Sequence, residues 1–136
     1  MKANELMIGD WLKCSDPTPF RITDIETEKG TSYFSVIGDD GWVVDGGELE
    51  PIPLTAEILE RNCKNILRWK GKGYEWTWYN EDDGYIELSS RAEGETCKDG
   101  FFVSANGGEY QLFTIHYVHE LQHALRLCGI EKEIEL

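Results

Sequence analysis

The chain has 136 residues, with 26 Asp and Glu against 13 Lys and Arg, and a formal net charge of −13. That length fits one domain, or two very small lobes. The charge argues against gripping a nucleic-acid backbone, which needs clustered Lys and Arg, and it favours a protein partner with a basic surface. The acids are spread along the chain: residues 1–62 carry −8 and residues 63–136 carry −5. The opening MKANELMIGDW has no apolar run of signal-peptide length, and no stretch reaches the roughly 18 apolar residues of a membrane span. The expectation is a cytoplasmic protein with no membrane association. Cys14, Cys63, Cys97 and Cys128 form no C-x-x-C pair, so neither a Cys-based zinc site nor a redox motif is read from them, and reduced thiols are expected.

In chain order, ELMIGDWLKC reads as a short strand bent at Gly9, followed by a turn-rich connector from Ser15 to Pro19. PFRITDIET alternates through Phe20 and Ile22 and then slips to Ile25, which predicts a bulge. Thr31–Gly38 and Trp42–Gly46 are further strands, rich in β-branched and aromatic residues and closed by Glu28–Gly30 and Asp39–Gly41. Short strands at this spacing predict a small antiparallel, SH3-like barrel over residues 1–54. Thr55 is a helix N-cap for AEILERN, with Glu57 in the first turn and Ile58 and Leu59 on the buried side. This helix bridges to a second β region within residues 55–136. ILRWK, GYEWTWYN and GYIELSS are its first strands, parted by Gly71–Gly73 and by the acidic turn Asn80–Gly84. Residues 91–100 read as a polar, mobile loop. FFVSA and EYQLFTI form a hairpin through Asn106-Gly-Gly108. The closing EKEIEL reads as a frayed tail or an edge strand.

The sharpest chemical pattern lies between Thr114 and Ile130. On a helical wheel Ile115, Val118, Leu121, Leu125 and Cys128 share one side, and His116, His119, His123 and Arg126 share the other. Gly129 fits a C-terminal cap. His119, Glu120 and His123 spell H-E-x-x-H. In a zinc peptidase the two histidines, four apart, hold the metal and the glutamate polarises the attacking water. Here His116 or a carboxylate from the sheet would have to be the third ligand, because no histidine follows His123 and the metzincin continuation is absent. The favoured reading is a solvated polar face that carries histidines, with no cofactor. Zinc bound by His116, His119 and His123, with Glu120 as the base, is the alternative.

Two further constellations stand out in the sequence. Tyr74, Trp76 and Trp78 share one face of a strand and form either core or a stacking face for a ligand. The carboxylates Glu81, Asp82 and Asp83, and likewise Asp39, Asp40 and Asp45, read as solvated turns, since they lack the alternating ligand spacing of a calcium loop.

Three stretches carry a resemblance. KANELMIGDWL, PIPLTAEILERN and YVHELQHALRLCG resemble, in order and spacing, a family of short uncharacterised proteins from gut-dwelling Gram-negative anaerobes, often found near phage-like or other mobile elements. The resemblance covers most of the chain and is weakest between Cys63 and Gln111. It implies no activity. The family's closing pattern is similar to V-H-x-L-Q, matched by Val118, His119, Leu121 and Gln122. Its members often have no equivalent of Glu120 and His123, which argues against zinc catalysis as a family property. The expectation is an α+β protein, with residues 1–54 barrel-like and residues 55–136 an antiparallel sheet covered by the C-terminal amphipathic helix. Its expected function is that of a non-enzymatic binding or adaptor protein, with a zinc-dependent hydrolase as the alternative.

Overall fold

A computed structural model describes residues 1–69, 73–82, 84–90, 100–105 and 110–136. The polar loop read over 91–100 therefore lies outside the described residues apart from Gly100, as do the Asn106-Gly-Gly turn and Asp83. The chain divides into two compact units, Met1–Ile52 and Pro53–Leu136. Both sheets are antiparallel and the class is α+β.

In the first unit five strands form: β1 (Trp11–Lys13), β2 (Phe20–Thr27), β3 (Phe34–Gly38), β4 (Val43–Asp45) and β5 (Glu50–Pro51). Their order is β4-β3-β2-β1-β5. The period-two alternation of side chains puts Leu12, Phe20, Ile22, Phe34, Val36 and Val44 into one core, joined by Leu6 and Leu49. The predicted bulge falls in β2, where pairing shifts from Ile22↔Gly38 to Asp24↔Ile37. A bulge leaves one residue without an opposite number and bends the strand. Beyond it β2 becomes mostly exposed. The barrel expectation needs correction at one point. The described pairings leave β4 and β5 as edges, so no closed barrel is present.

The opening stretch also differs from its reading as a strand. Only Trp11–Lys13 pair, and a 3-10 turn at Ala3–Glu5 precedes them. Asp10 is fully buried, and its carboxylate accepts the Met7 N–H at 2.8 Å. Gly9 N–H donates to the Ile22 carbonyl, and Ile22 N–H donates to the Asp10 carbonyl. The local turn consumes these polar groups, so the chain folds back instead of extending.

The second unit opens with α1 (Ala56–Asn62), whose N-cap Thr55 hydroxyl accepts the Ile58 N–H at 3.3 Å. Leu59 is fully buried and Ile58 half-buried. Then β6 (Asn65–Trp69), β7 (Gly73–Tyr79), β8 (Tyr85–Ser89), β9 (Phe101–Ala105) and β10 (Tyr110–Ile115) meander in chain order, and α2 (Val118–Leu127) follows. The buried apolar set is Trp76, Trp78, Ile86, Leu88, Phe101, Val103 and Ile115 from the sheet, with Leu59, Val118, Leu121, Ala124, Leu125, Ile130 and Ile134 from the helices and tail. Each large apolar side chain taken fully out of water contributes about 1.5–3 kcal/mol. Phe101 meets Trp76 edge-on at 5.7 Å between ring centroids.

Polar ties fasten the helices to the sheet. The Trp78 indole N–H donates to the Asn62 carbonyl at 3.1 Å. The Asn80 amide donates to the Cys128 carbonyl at 3.0 Å. The α2 end has Gly129 at φ +70, with Gly129 N–H donating to the Arg126 carbonyl and Ile130 N–H to the Leu125 carbonyl. That is a Schellman closure, with Ile130 buried behind it. The tail is neither frayed nor a strand. Ile134 is buried, and Asn62 clamps Glu135 by donating to its carbonyl at 2.6 Å and accepting its N–H at 2.7 Å.

Candidate functional site

The helix expected from Thr114 begins at Val118 instead, because Thr114 and Ile115 still pair with Phe102 and Phe101 in the sheet. Tyr117 is the N-cap, held on the far side by a bridge to Pro53. This shift changes which side chains the helix hides. Val118, His119, Leu121, Gln122, Ala124 and Leu125 are all buried. The covered arc is wider than the apolar stripe, so the expectation that the histidines face solvent fails for His119, which is 7% exposed. His123 is half-buried, His116 and Arg126 are exposed, and Cys128 is half-buried.

The rings form a ladder. Tyr117 stacks on His119 at 5.9 Å and 11° between planes, and His119 meets His123 edge-on at 5.7 Å. His116 lies at the other end, 6.1 Å from the Tyr117 ring. H-E-x-x-H spacing thus brings His119 and His123 together as the helical repeat requires. Glu120 is elsewhere. Its Oε2 accepts the backbone N–H of His116 at 2.7 Å and of Tyr117 at 3.1 Å. A carboxylate in the first turn that accepts the N–H groups ahead of the helix is a cap, stabilised by the helix dipole. It is not poised over a metal-bound water. Among the described residues no three His, Cys, Asp or Glu side chains are grouped to hold an ion.

The second candidate, the face of Tyr74, Trp76 and Trp78, is interior. Trp76 is fully buried, Trp78 is 6% exposed and Tyr74 is half-buried. Tyr74 stacks on Trp76 at 5.7 Å and 24° and carries the Arg68 guanidinium at 5.7 Å. A stacking platform for a ligand would need those rings in solvent. The opposite face of the sheet carries Glu75, Thr77, Glu87 and Ser104. Burial, then the charge of Glu75, raises the Glu87 carboxyl above its ordinary value, and the Ser104 hydroxyl draws it partly back.

The acidic turns behave as turns. Asp39 accepts the Arg21 N–H at 3.0 Å, Asp40 the Trp42 N–H at 3.1 Å, and Asp45 the Gly47 N–H at 2.8 Å. The Asn80 carbonyl oxygen accepts the N–H groups of Asp82 and Gly84, both at 2.9 Å. Beside it a cleft of about 380 Å³ is lined by Tyr79, Asn80, Glu81, Asp82, Gly129, Ile130 and Glu131. The Cys63 and Cys128 thiols are both pushed up by burial, away from the reactive thiolate.

The surface that sequence reading missed is in the first unit. Trp42 is 74% exposed, Val43 62% and Tyr33 51%. Trp42 and Val43 lie at the start of the edge strand β4. Tyr33 precedes β3, and the charge of Asp45 together with a hydrogen bond to it raises the Tyr33 phenol, with Glu28 and Glu48 adding to the effect. Exposed apolar side chains therefore stand at both ends of the β3–β4 pairing, Trp42 and Val43 at one end and Tyr33, among the carboxylates of Asp45, Glu28 and Glu48, at the other. Their signal in the sequence was the pair Trp42-Val43 directly after a charged turn, but nothing local says that β4 ends its sheet. No known family model, curated protein or solved structure matches the chain.

Proposed function

We propose that this chain is a non-enzymatic binding or adaptor protein, and that it docks a partner with a basic surface along the β3–β4 corner. The observation that carries this is the exposure of Trp42 and Val43 where the edge strand β4 begins, with Tyr33 exposed just before its neighbour β3. Scattered exposed apolar residues are ordinary, but an exposed tryptophan beside other apolar side chains marks an interaction surface. Tryptophan and tyrosine also anchor interfaces at low entropic cost. The carboxylates of Glu28, Asp45 and Glu48 around Tyr33 supply the charge that selects a basic partner. The 3-10 turn before β5, and the return of β5 to pair with β1, support an SH3-like arrangement for this unit, open along its edges. Cytoplasmic location and a mobile-element origin belong to the same proposal. The first rests on composition and the second on the three stretches that resemble the family. No described helix is long and apolar enough to cross a membrane.

Fluorescence anisotropy with a labelled, extended peptide of alternating Lys and Val tests the surface. Binding to the intact chain should weaken about tenfold or more in Trp42→Ala, the scale of an interface anchor. No binding, or equal binding by both proteins, would remove the proposal. The zinc-hydrolase alternative keeps the His119–His123 pair and loses its base, because Glu120 caps the helix. About one equivalent of zinc after purification without added metal, lost in His123→Ala, would restore it.

A further inference from the structure

We infer that the basic partner of the β4 edge is the β6 edge of a second copy of this chain, added as an antiparallel strand. The inference rests on the reading of β4 as a docking edge and names its occupant. β6 ends its sheet as β4 does. Asn65, Ile66, Leu67 and Arg68 are all exposed, with Leu67 at 58% and Ile66 at 38%. Over Asn65–Arg68 the strand thus leaves side chains of both faces in contact with solvent. It also falls in the most basic stretch of an acidic protein: Arg61, Lys64, Arg68, Lys70 and Lys72 occur between residues 61 and 74 without one Asp or Glu. Exposed Lys64 and Arg68 therefore give this edge the sign opposite to that of β4.

Hydrogen-bond phase selects the register. Gly38 N–H donates to the Trp42 carbonyl at 2.9 Å, so Trp42 and Val44 direct their backbone groups at β3. Val43 and Asp45 direct theirs at the open side, since antiparallel residues alternate in this way. In the second unit Ser90 N–H donates to the Tyr74 carbonyl, so Tyr74 and Trp76 bond β8, and Glu75 and Thr77 bond β6. Their partners Leu67 and Asn65 thus face β7, and the N–H and C=O of Ile66 face outward. Setting Val43 opposite Ile66 matches the outward groups of both edges. The same register puts Asp45 opposite Lys64, Trp42 opposite Leu67, and Arg68 opposite Gly41, next to the Asp39–Gly41 turn. Apolar residues meet apolar ones, and the cation Lys64 meets the carboxylate of Asp45. Charges on a sheet edge ordinarily discourage pairing with other chains. Opposite charges on two edges turn that protection into selectivity for one junction. The junction is head-to-tail, so it either closes reciprocally in a dimer or propagates.

Charge swapping tests this. Sedimentation of the intact chain should show concentration-dependent association that weakens with salt. Asp45→Lys and Lys64→Glu each place like charges opposite one another and should weaken self-association about tenfold or more. Mixed in equal amounts, the two variants restore opposite charges at every junction and should associate again. Circular dichroism checks that both fold. Val43→Pro replaces Asp45→Lys if that variant does not fold, because it removes an N–H that points away from β3, and it should abolish association. A wild-type chain that sediments as a monomer at every salt and concentration overturns the inference. So does a mixture no more associated than its components. The peptide-binding loss in Trp42→Ala is read separately, at protein concentrations below association, so the docking edge and its occupant stand or fall independently.

Discussion

At the scale of single residues, two asparagines hold much of the second unit's order, and each does so through backbone groups. Asn62 bonds the Ile58 carbonyl and both backbone groups of Glu135. Asn80 bonds two N–H groups of its own turn and the Cys128 carbonyl. A buried polar side chain satisfied in this way specifies one arrangement, because any other leaves a donor or acceptor without a partner. Glu87 is the contrasting case. Burial and the Glu75 charge hold its carboxyl above the ordinary value of 4.5. The folded chain therefore keeps this proton to higher pH than the unfolded chain does. In the window just above the ordinary value the folded state binds more protons, so stability falls as pH rises through it. Glu87→Gln keeps a group for Ser104 and removes the charge. The variant should be the more stable protein at neutral pH, and the advantage should vanish below the ordinary value, where both chains are protonated. Urea midpoints of the two proteins at about pH 7 and about pH 4 check this. A variant less stable at neutral pH would show that the Ser104 bond outweighs the burial.

At the scale of elements, the strands were legible because alternation is local. GYEWTWYN buries Trp76 and Trp78 and turns Tyr79 outward as its period requires. The N-cap Thr55 and the cap glycine Gly129 were legible because backbone geometry selects those residue types. The start of α2 was not. Ile115 suits a helix stripe and a strand equally, and pairing with Phe101 across the β9–β10 hairpin decided between them. The misplaced start carried the histidine error with it, since a wheel shows one apolar stripe and cannot show that the unit covers His119 and Gln122 as well. The capping role of Glu120 was hidden for the same reason. A cap at Tyr117 has no Ser, Thr, Asp or Asn to announce it. Glu120→Ala should therefore cost about 1 kcal/mol of stability, the typical worth of a cap. Denaturant titration measures that loss. Glu120→Gln, which retains an acceptor oxygen, should recover part of it. Equal stability of Glu120→Ala and the parent would mean that the carboxylate is not acting as the cap.

At the scale of the whole molecule, the α+β class was legible in the sequence, but edges and exposure are products of topology. Nothing in WVVDG or KNILRW says that these segments close off their sheets, although both proposed contacts depend on it. Net charge is a global property that sequence gives outright, and it has a thermodynamic consequence. With 26 acids and 13 bases, like charges outnumber the available pairs, and compaction brings them closer. Two ion pairs among the described residues, Lys13–Glu50 and Arg61–Glu57, are long, 3.7 Å each, and partly or fully open to solvent. Exposed pairs of this kind contribute about 0–1 kcal/mol and are themselves screened by salt. Repulsion among the acids should therefore outweigh them. At about 0.15 M ionic strength the screening length is roughly 8 Å, short enough to mute repulsion across the surface. Melting temperature should rise as sodium chloride goes from about 0.01 M, where screening reaches roughly 30 Å, to about 0.15 M. The measurement belongs at protein concentrations low enough to keep the chain monomeric, because dissociation of a charge-paired dimer moves the other way. A melting temperature that falls over this range would mean that attractive pairs, not the excess of carboxylates, dominate the folded chain's electrostatics.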